Sequence, residues 1–463
     1  MATTIEQRPL YSNAVPVGQE VIFAISNNNI VAQFTNVSFQ ADVYISNGTP
    51  PTVTGTPLAT FKTKPNNVGV GIFDFRQVVE SYVSSDNVAA EGSSYKTALT
   101  NIETSNPIHL IDKYSKNRNA VRWLTIQFKT IYTNASGNEA EDTPITSIDY
   151  RLFDGYLKYT NIIELSGNGS FGYNPTDLIP SNDTKQFLTN APIIQYANLE
   201  DYGTFAFLSM ISNNGVAGVR LTYYDSSGVQ IGTEIITRNQ TNGADTSPST
   251  DVSGHLLYFG CFPANLQNWS STFQALVTAE TIQGGSITVQ ALSGAFIGRT
   301  KIYTININCP NLKGYESVRL AWLNQWGAWD YYTFTQKSVR SITTKGSTYE
   351  QLAGTWNESR YRVNGYKGGK KSFRVNATEK IKMNTDFVSE NENIMFEELI
   401  NSPEVYILDG YSSVFDVTTN LNQYVTPVRI TSTNFTKKTV ANDKLIQYTF
   451  EVEKSKTLRT QSI

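Results

Sequence analysis

Alternation of apolar and polar positions with period two dominates this chain. Val37, Phe39, Val43 and Ile45 mark a strand over 37–46, and Leu124, Ile126, Phe128 and Tyr132 mark another over 121–132. Successive strand side chains point to opposite faces, so both segments are expected to be half-buried. An earlier strand-like run covers 20–26, and a Pro/Thr/Gly loop follows at 48–57. The stretch 68–83 passes from a strand into a short helix, because Phe75, Val78, Val79 and Tyr82 fall at helical spacing. From 203 onward the runs are short and frequent, at 203–210, 216–224, 228–237, 255–262, 272–281, 285–292 and 300–308. Asn-Asn-Gly, Ser-Ser-Gly, Asn-Gly and Gly-Gly separate them, and these residues accept the positive φ of tight turns. Two strands, around 425–432 and 444–453, close the pattern.

One helix carries a full set of boundary signals. Ser389 and Glu392 form a capping box, in which the hydroxyl accepts from the helix and the glutamate reaches back to the cap. The helix should bury Ile394, Phe396, Leu399 and Ile400 and stop at Asn401-Ser402-Pro403. The expected fold is therefore all-β and mainly antiparallel. It consists of tandem β-sandwich modules, Ig-like or jelly-roll-like, with one or two short helices. A length of 463 residues exceeds what one core usually organises. The expected division is an N-terminal sandwich over 1–148, a central sandwich over 149–309, and a C-terminal β module over 310–463. "FDGY" at 153–156 and "LDGY" at 408–411 are too short to establish a repeat.

Composition strengthens the β reading, since 26 Tyr and 23 Phe accompany abundant turn residues and argue against disorder. The net charge of −3 gives no global attraction to nucleic acid or an anionic membrane. Its distribution says more: residues 311–383 hold thirteen Lys/Arg against five Asp/Glu. The focus is "YKGGKK" at 366–371, with Arg360, Arg362 and Arg374 nearby, expected as a hairpin tip. Three uses stay open for it. It is a solvated turn whose charge discourages edge-to-edge pairing, a contact for an acidic face of a neighbouring subunit, or a contact for DNA phosphates.

Catalytic and metal-binding patterns are poorly represented. His109 and His255 are solitary, and the chain carries no HExxH, CxxC, GxSxG, Walker or GxGxxG motif. No enzyme activity, cofactor or metal is expected. Cys261 and Cys309 are expected as two buried thiols in strands. The start "MATTIEQRPLYSN" lacks a basic-then-apolar leader, which places synthesis in a reducing cytoplasm, and no apolar run suits a membrane span.

Residues 319–334 concentrate the aromatic residues: Trp322, Trp326 and Trp329 lie beside Tyr331, Tyr332 and Phe334. Leu320 and Trp322, then Trp329 and Tyr331, alternate on either side of a Gln325-Trp326-Gly327 turn, the pattern of a β-hairpin. Trp322, Trp326, Trp329 and Trp356 invite comparison with a carbohydrate platform, but strand tryptophans alternate faces, and packing is the plainer use. Asp330 beside Trp329 and Tyr331 would suit a sugar cleft, yet an Asp after a hairpin turn more commonly caps it or meets an Arg such as Arg340.

The string "WLNQWGAWDYYTF" resembles a motif recurring in virion structural proteins of tailed bacteriophages that infect Bacteroidetes, including crAss-like phages and related marine podoviruses. Residues 380–411 are similar to a segment those proteins carry downstream. The resemblance covers the last third of the chain. It implies a non-enzymatic virion protein of the tail or neck, assembled in the bacterial host cytoplasm. The part expected is a collar, ring or hub subunit. Such a subunit forms a ring-like homo-oligomer, connects neighbouring tail and neck proteins around the DNA conduit, and meets packaged DNA at most non-specifically. Expected interface residues are Trp326, Trp329, Asp330, Lys367, Lys370 and Lys371. The alternative is a head-fibre or receptor-binding protein that displays aromatics to a host glycan.

Overall fold

The computed structural model describes residues 2–47, 49–84, 114–117, 120–158, 174–208, 216, 218–237, 256–293, 295–309, 314–410, 425–432, 434–439 and 445–459. Sheets, mostly antiparallel, dominate it, and the helices are few and short. Two compact units share the chain. One takes Met1–Pro310, Leu323–Tyr331 and Gly410–Asn422; the other takes Asn311–Trp322, Tyr332–Asp409 and Gln423–Ile463.

The first unit begins with two sheets and a shared core. β1 (Thr4–Gln7), β3 (Ile22–Ser26) and β6 (Val70–Asp74) form one sheet, in the order β1-β3-β6. β2 (Val15–Pro16), β4 (Thr35–Ser46), β5 (Ala59–Thr63), β8 (Val121–Thr133) and β11 (Tyr150–Phe153) form the other, in the order β2-β11-β8-β4-β5. Two short strands, β9 (Glu139–Glu141) and β10 (Ile145–Thr146), fold back on β8. Alternate residues of β4 and β8 pair in register, Ala41 with Phe128 and Val43 with Ile126, and turn one apolar face inward. That face meets Phe23, Ile25 and Phe73 in a single cluster, with Tyr150 and Leu152 contributed by β11. Sequence alternation thus becomes a sandwich core. The expected strand-to-helix passage is present as β6 followed by α2 (Arg76–Tyr82), after a first short helix, α1 (Asn28–Gln33). The expected boundary at 148/149 falls inside this second sheet, because β11 pairs with β8.

β7 (Tyr114–Asn117), β13 (Thr204–Leu208) and β16 (Leu256–Gly260) make a three-stranded sheet. A five-stranded one runs β12 (Ile194–Ala197), β18 (Tyr303–Ile307), β17 (Ser286–Leu292), β14 (Gly218–Tyr224), β15 (Gln230–Thr237). One expectation fails here: the strand predicted over 272–281 is helical. α3 (Pro263–Trp269) and α4 (Ser271–Thr278) fill this stretch. Ser270 caps α4 by accepting from the Phe273 N–H at 2.8 Å, and Phe273, Leu276 and Val277 have helical spacing that a short apolar run disguises. The cysteines also differ from expectation. Both are free; Cys261 is buried, which pushes its thiol pKa up, whereas Cys309 is exposed beyond the end of β18.

The second unit is organised by one sheet in the order β20-β19-β23-β24-β25-β22-β21. Its strands are β19 (Val318–Leu323), β20 (Trp329–Phe334), β21 (Val339–Gln351), β22 (Gly369–Asn384), β23 (Val405–Leu408), β24 (Val425–Ile430) and β25 (Thr449–Lys454). The capping box is present, with the Ser389 N–H donating to the Glu392 carboxylate at 2.6 Å, and it opens α5 (Asn393–Asn401) through a turn of 3-10 helix. α5 buries Met395, Phe396 and Leu399, and Phe396 packs among Tyr332, Tyr448 and Phe450. Ile394 is exposed and Ile400 only half-buried, contrary to expectation, because the preceding turn rotates the helix so that Met395 takes the inner position. No helix among the described residues is long and apolar enough to cross a membrane.

Candidate interaction surface

The aromatic hairpin is turned by its own side chains. Asn324 Oδ1 accepts from the N–H groups of Trp326 and Ala328, at 3.0 and 3.1 Å. Gly327 has φ +71°, and a Cβ there would lie 2.3 Å from the Asp154 carbonyl oxygen, so both conformation and space demand glycine. The tip Leu323–Tyr331 belongs to the first unit and is bonded on several sides within it. Tyr156 N–H donates to the Gln325 carbonyl at 2.8 Å, Tyr258 Oη to that of Gly327 at 3.1 Å, and Asn324 Nδ2 to that of Leu188 at 2.9 Å. The Thr189 hydroxyl donates to the Asp330 carboxyl.

Trp326, Trp329 and Asp330, expected at a subunit interface, are therefore enclosed by their own chain. They present no surface to a neighbour. Burial raises the Asp330 pKa to about 6, although the Thr189 hydroxyl, Asn324 and the Asn190 backbone all act to lower it. Arg340 is engaged elsewhere, by Glu316 and by Glu379 at 2.9 Å. Trp322 is also buried, so the tryptophan run offers no sugar platform, and only Trp356 of the four is exposed.

The exposed surface lies in the second unit, on the ribbon formed by β21 and β22. β21 has 13 residues, which at about 3.3 Å each span roughly 40 Å. Its register runs from Val339 opposite Lys382 to Gln351 opposite Gly369, with a bulge between Ser347 and Thr348. β25 accompanies β22 only from Lys380 to Asn384, and one bridge, Ala377 to Leu458, extends the support. Farther out the two strands pair with each other alone, and nearly every residue is exposed. Glu379, bonded to Arg340 and Lys454, sits at the base, and these partners hold its carboxyl below its ordinary pKa.

The register assigns the faces. Lys345, Arg374, Lys371, Lys380 and Lys382 occupy one, and Ile342, Thr344, Gly346, Val375 and Ala377 the other. Segment 352–368 joins the strands at the far end. There Leu352, Trp356, Tyr361, Val363 and Tyr366 are all exposed, and the Trp356 and Tyr361 rings meet edge-on with centroids 5.5 Å apart. The expected tip at 366–371 is displaced: Lys370 and Lys371 already lie in β22, opposite Glu350 and Tyr349, while Lys367 ends the connecting segment. The three lysines thus stand on one arm, apart from the buried Trp326, Trp329 and Asp330.

Sequence reasoning missed the two-faced ribbon. The Ser/Thr-rich alternation of 339–351 was the available signal, but face assignment needs the pairing register. Among the described residues no group of three His, Cys, Asp or Glu side chains is placed to hold a metal ion. His109 and His255 lie outside the described residues. No protein-family model matches the chain, and no curated protein matches it.

Proposed function

We propose that this chain is a non-enzymatic structural subunit of a tailed-phage virion, a collar, ring or hub component of the tail. It self-assembles and joins neighbouring tail proteins around the DNA conduit. The carrying observation is the β21–β22 ribbon, whose strands stand largely uncovered and end in a cluster of exposed large apolar side chains. A lone two-stranded ribbon is marginal in water, and exposed strand edges with aromatic patches are a hazard to a monomer. They become contact area when neighbours cover them. In a ring each copy offers one surface to a different surface of the next, and rotation closes the set. A chain with a basic arm and an acidic remainder has the polarity such contact uses. Lys367, Lys370 and Lys371 are retained as interface residues, and the resemblance of 322–334 and 380–411 to phage virion proteins supplies the kind of particle.

One observation favours a second reading. The exposed, edge-on pair of Trp356 and Tyr361 suits a sugar ring, as a receptor-binding or head-fibre protein would require. Gold-label electron microscopy of intact virions, with antibodies to this chain, separates the readings. Label at the tail or neck supports the assembly subunit, label over the capsid supports the fibre, and absence from the particle refutes both.

A further inference from the structure

We infer that the apolar face of the ribbon docks on the N-terminal unit of a second copy of this chain. The inference rests on the assembly reading above and specifies its contact. At the base of the ribbon, Ile381 and Met383 of β22 pair with Val452 and Phe450 of β25, and all four are buried in the core of the second unit. Residues two apart share a face, so Val375 and Ala377 on β22, with Ile342, Thr344 and Gly346 opposite, carry that same face outward. The cover stops there: Ile342 is 62% exposed and Val375 40%. A face that begins as core and continues uncovered lacks one packing layer.

Charge selects the occupant. Residues 339–384 hold ten Lys/Arg against three Asp/Glu, while residues 1–310 hold 17 Lys/Arg against 24 Asp/Glu. Lys345, Arg360, Arg362, Lys367, Lys370, Lys371 and Arg374 form no ion pair among the described residues. Their field is left for something outside the ribbon. A basic arm and an acidic body on one chain are complementary between copies and give head-to-tail polarity. Docking the apolar strip on a neighbour's body brings the arm's cations beside that body's carboxylates.

Mixed assemblies of ¹⁵N-labelled and unlabelled chain, treated with a carbodiimide that couples lysine to carboxylate, test the contact by mass spectrometry. Mixed-isotope links from Lys345 or Lys371 to Asp or Glu within 1–310 are expected. Ile342→Asp with Val375→Asp, both at exposed positions, should keep the circular dichroism of the wild type and raise the assembly dissociation constant about tenfold or more. Ile342→Val should leave it unchanged. A wild-type oligomer without mixed-isotope links, and with an undisturbed dissociation constant in the double variant, overturns the docking but spares the assembly reading. Retained oligomers that lose salt-sensitive binding of duplex DNA on Lys345→Glu with Arg374→Glu also overturn it, and make DNA the occupant. A wild-type chain that never oligomerises overturns both.

Discussion

Replacing Asp330 with asparagine should make the protein more stable at neutral pH. Asp330 is buried, and its pKa is about 6 in the folded chain against 3.8 for a free carboxyl. Between those values the folded state holds a proton that the unfolded state has released. Stability therefore falls as pH rises through this window and is level above it. The gap of about two pH units corresponds to about 3 kcal/mol at roughly 1.4 kcal/mol per unit. Asp330→Asn keeps an oxygen for the Thr189 hydroxyl and carries no charge to desolvate, so the variant should lack this slope. Urea unfolding followed by tryptophan fluorescence, run in parallel on both proteins from pH 4 to pH 8, reads the difference. Trp326 and Trp329 report from the same hairpin tip. The two proteins should match near pH 4, and the variant should gain up to about 3 kcal/mol by pH 8. Parallel curves, or a variant that loses stability as pH rises, would show an ionised carboxylate needed in place and refute the reasoning.

Three smaller perturbations follow from local geometry. Gly327→Ala should cost on the order of 2 kcal/mol in urea unfolding, since a Cβ would lie 2.3 Å from the Asp154 carbonyl oxygen at a residue with φ +71°. Ser270→Ala should cost about 1 kcal/mol by the same assay, because it removes the cap of α4 and a hydroxyl that donates to Glu234. A thiol reagent should label Cys309 in the native protein and reach Cys261 only after denaturation, as peptide mass spectrometry would report.

The legible parts of the fold were those decided locally. β4 and β8 announce themselves because one face of each is buried, and the Ser389–Glu392 capping box because its partners are three residues apart. α4 was misread because Phe273, Leu276 and Val277 lie in a run too short for its periodicity to distinguish helix from strand. The aromatic hairpin was legible as a hairpin but not as a buried element. Its partners Asp154, Tyr156, Leu188, Thr189 and Tyr258 come from distant parts of the sequence. The basic block was visible as composition, and its arrangement on one face of an arm was not. Lys345 and Arg374 share that face through a register interrupted by a bulge, which composition does not reveal.

The central claim, that this chain is an assembly subunit, is tested most directly by sedimentation velocity of the purified protein over a wide concentration range. The account predicts a discrete homo-oligomer that dissociates toward monomer on dilution and as salt is raised, because charge complementarity steers the contact. A single monomeric species at every concentration and salt would contradict it.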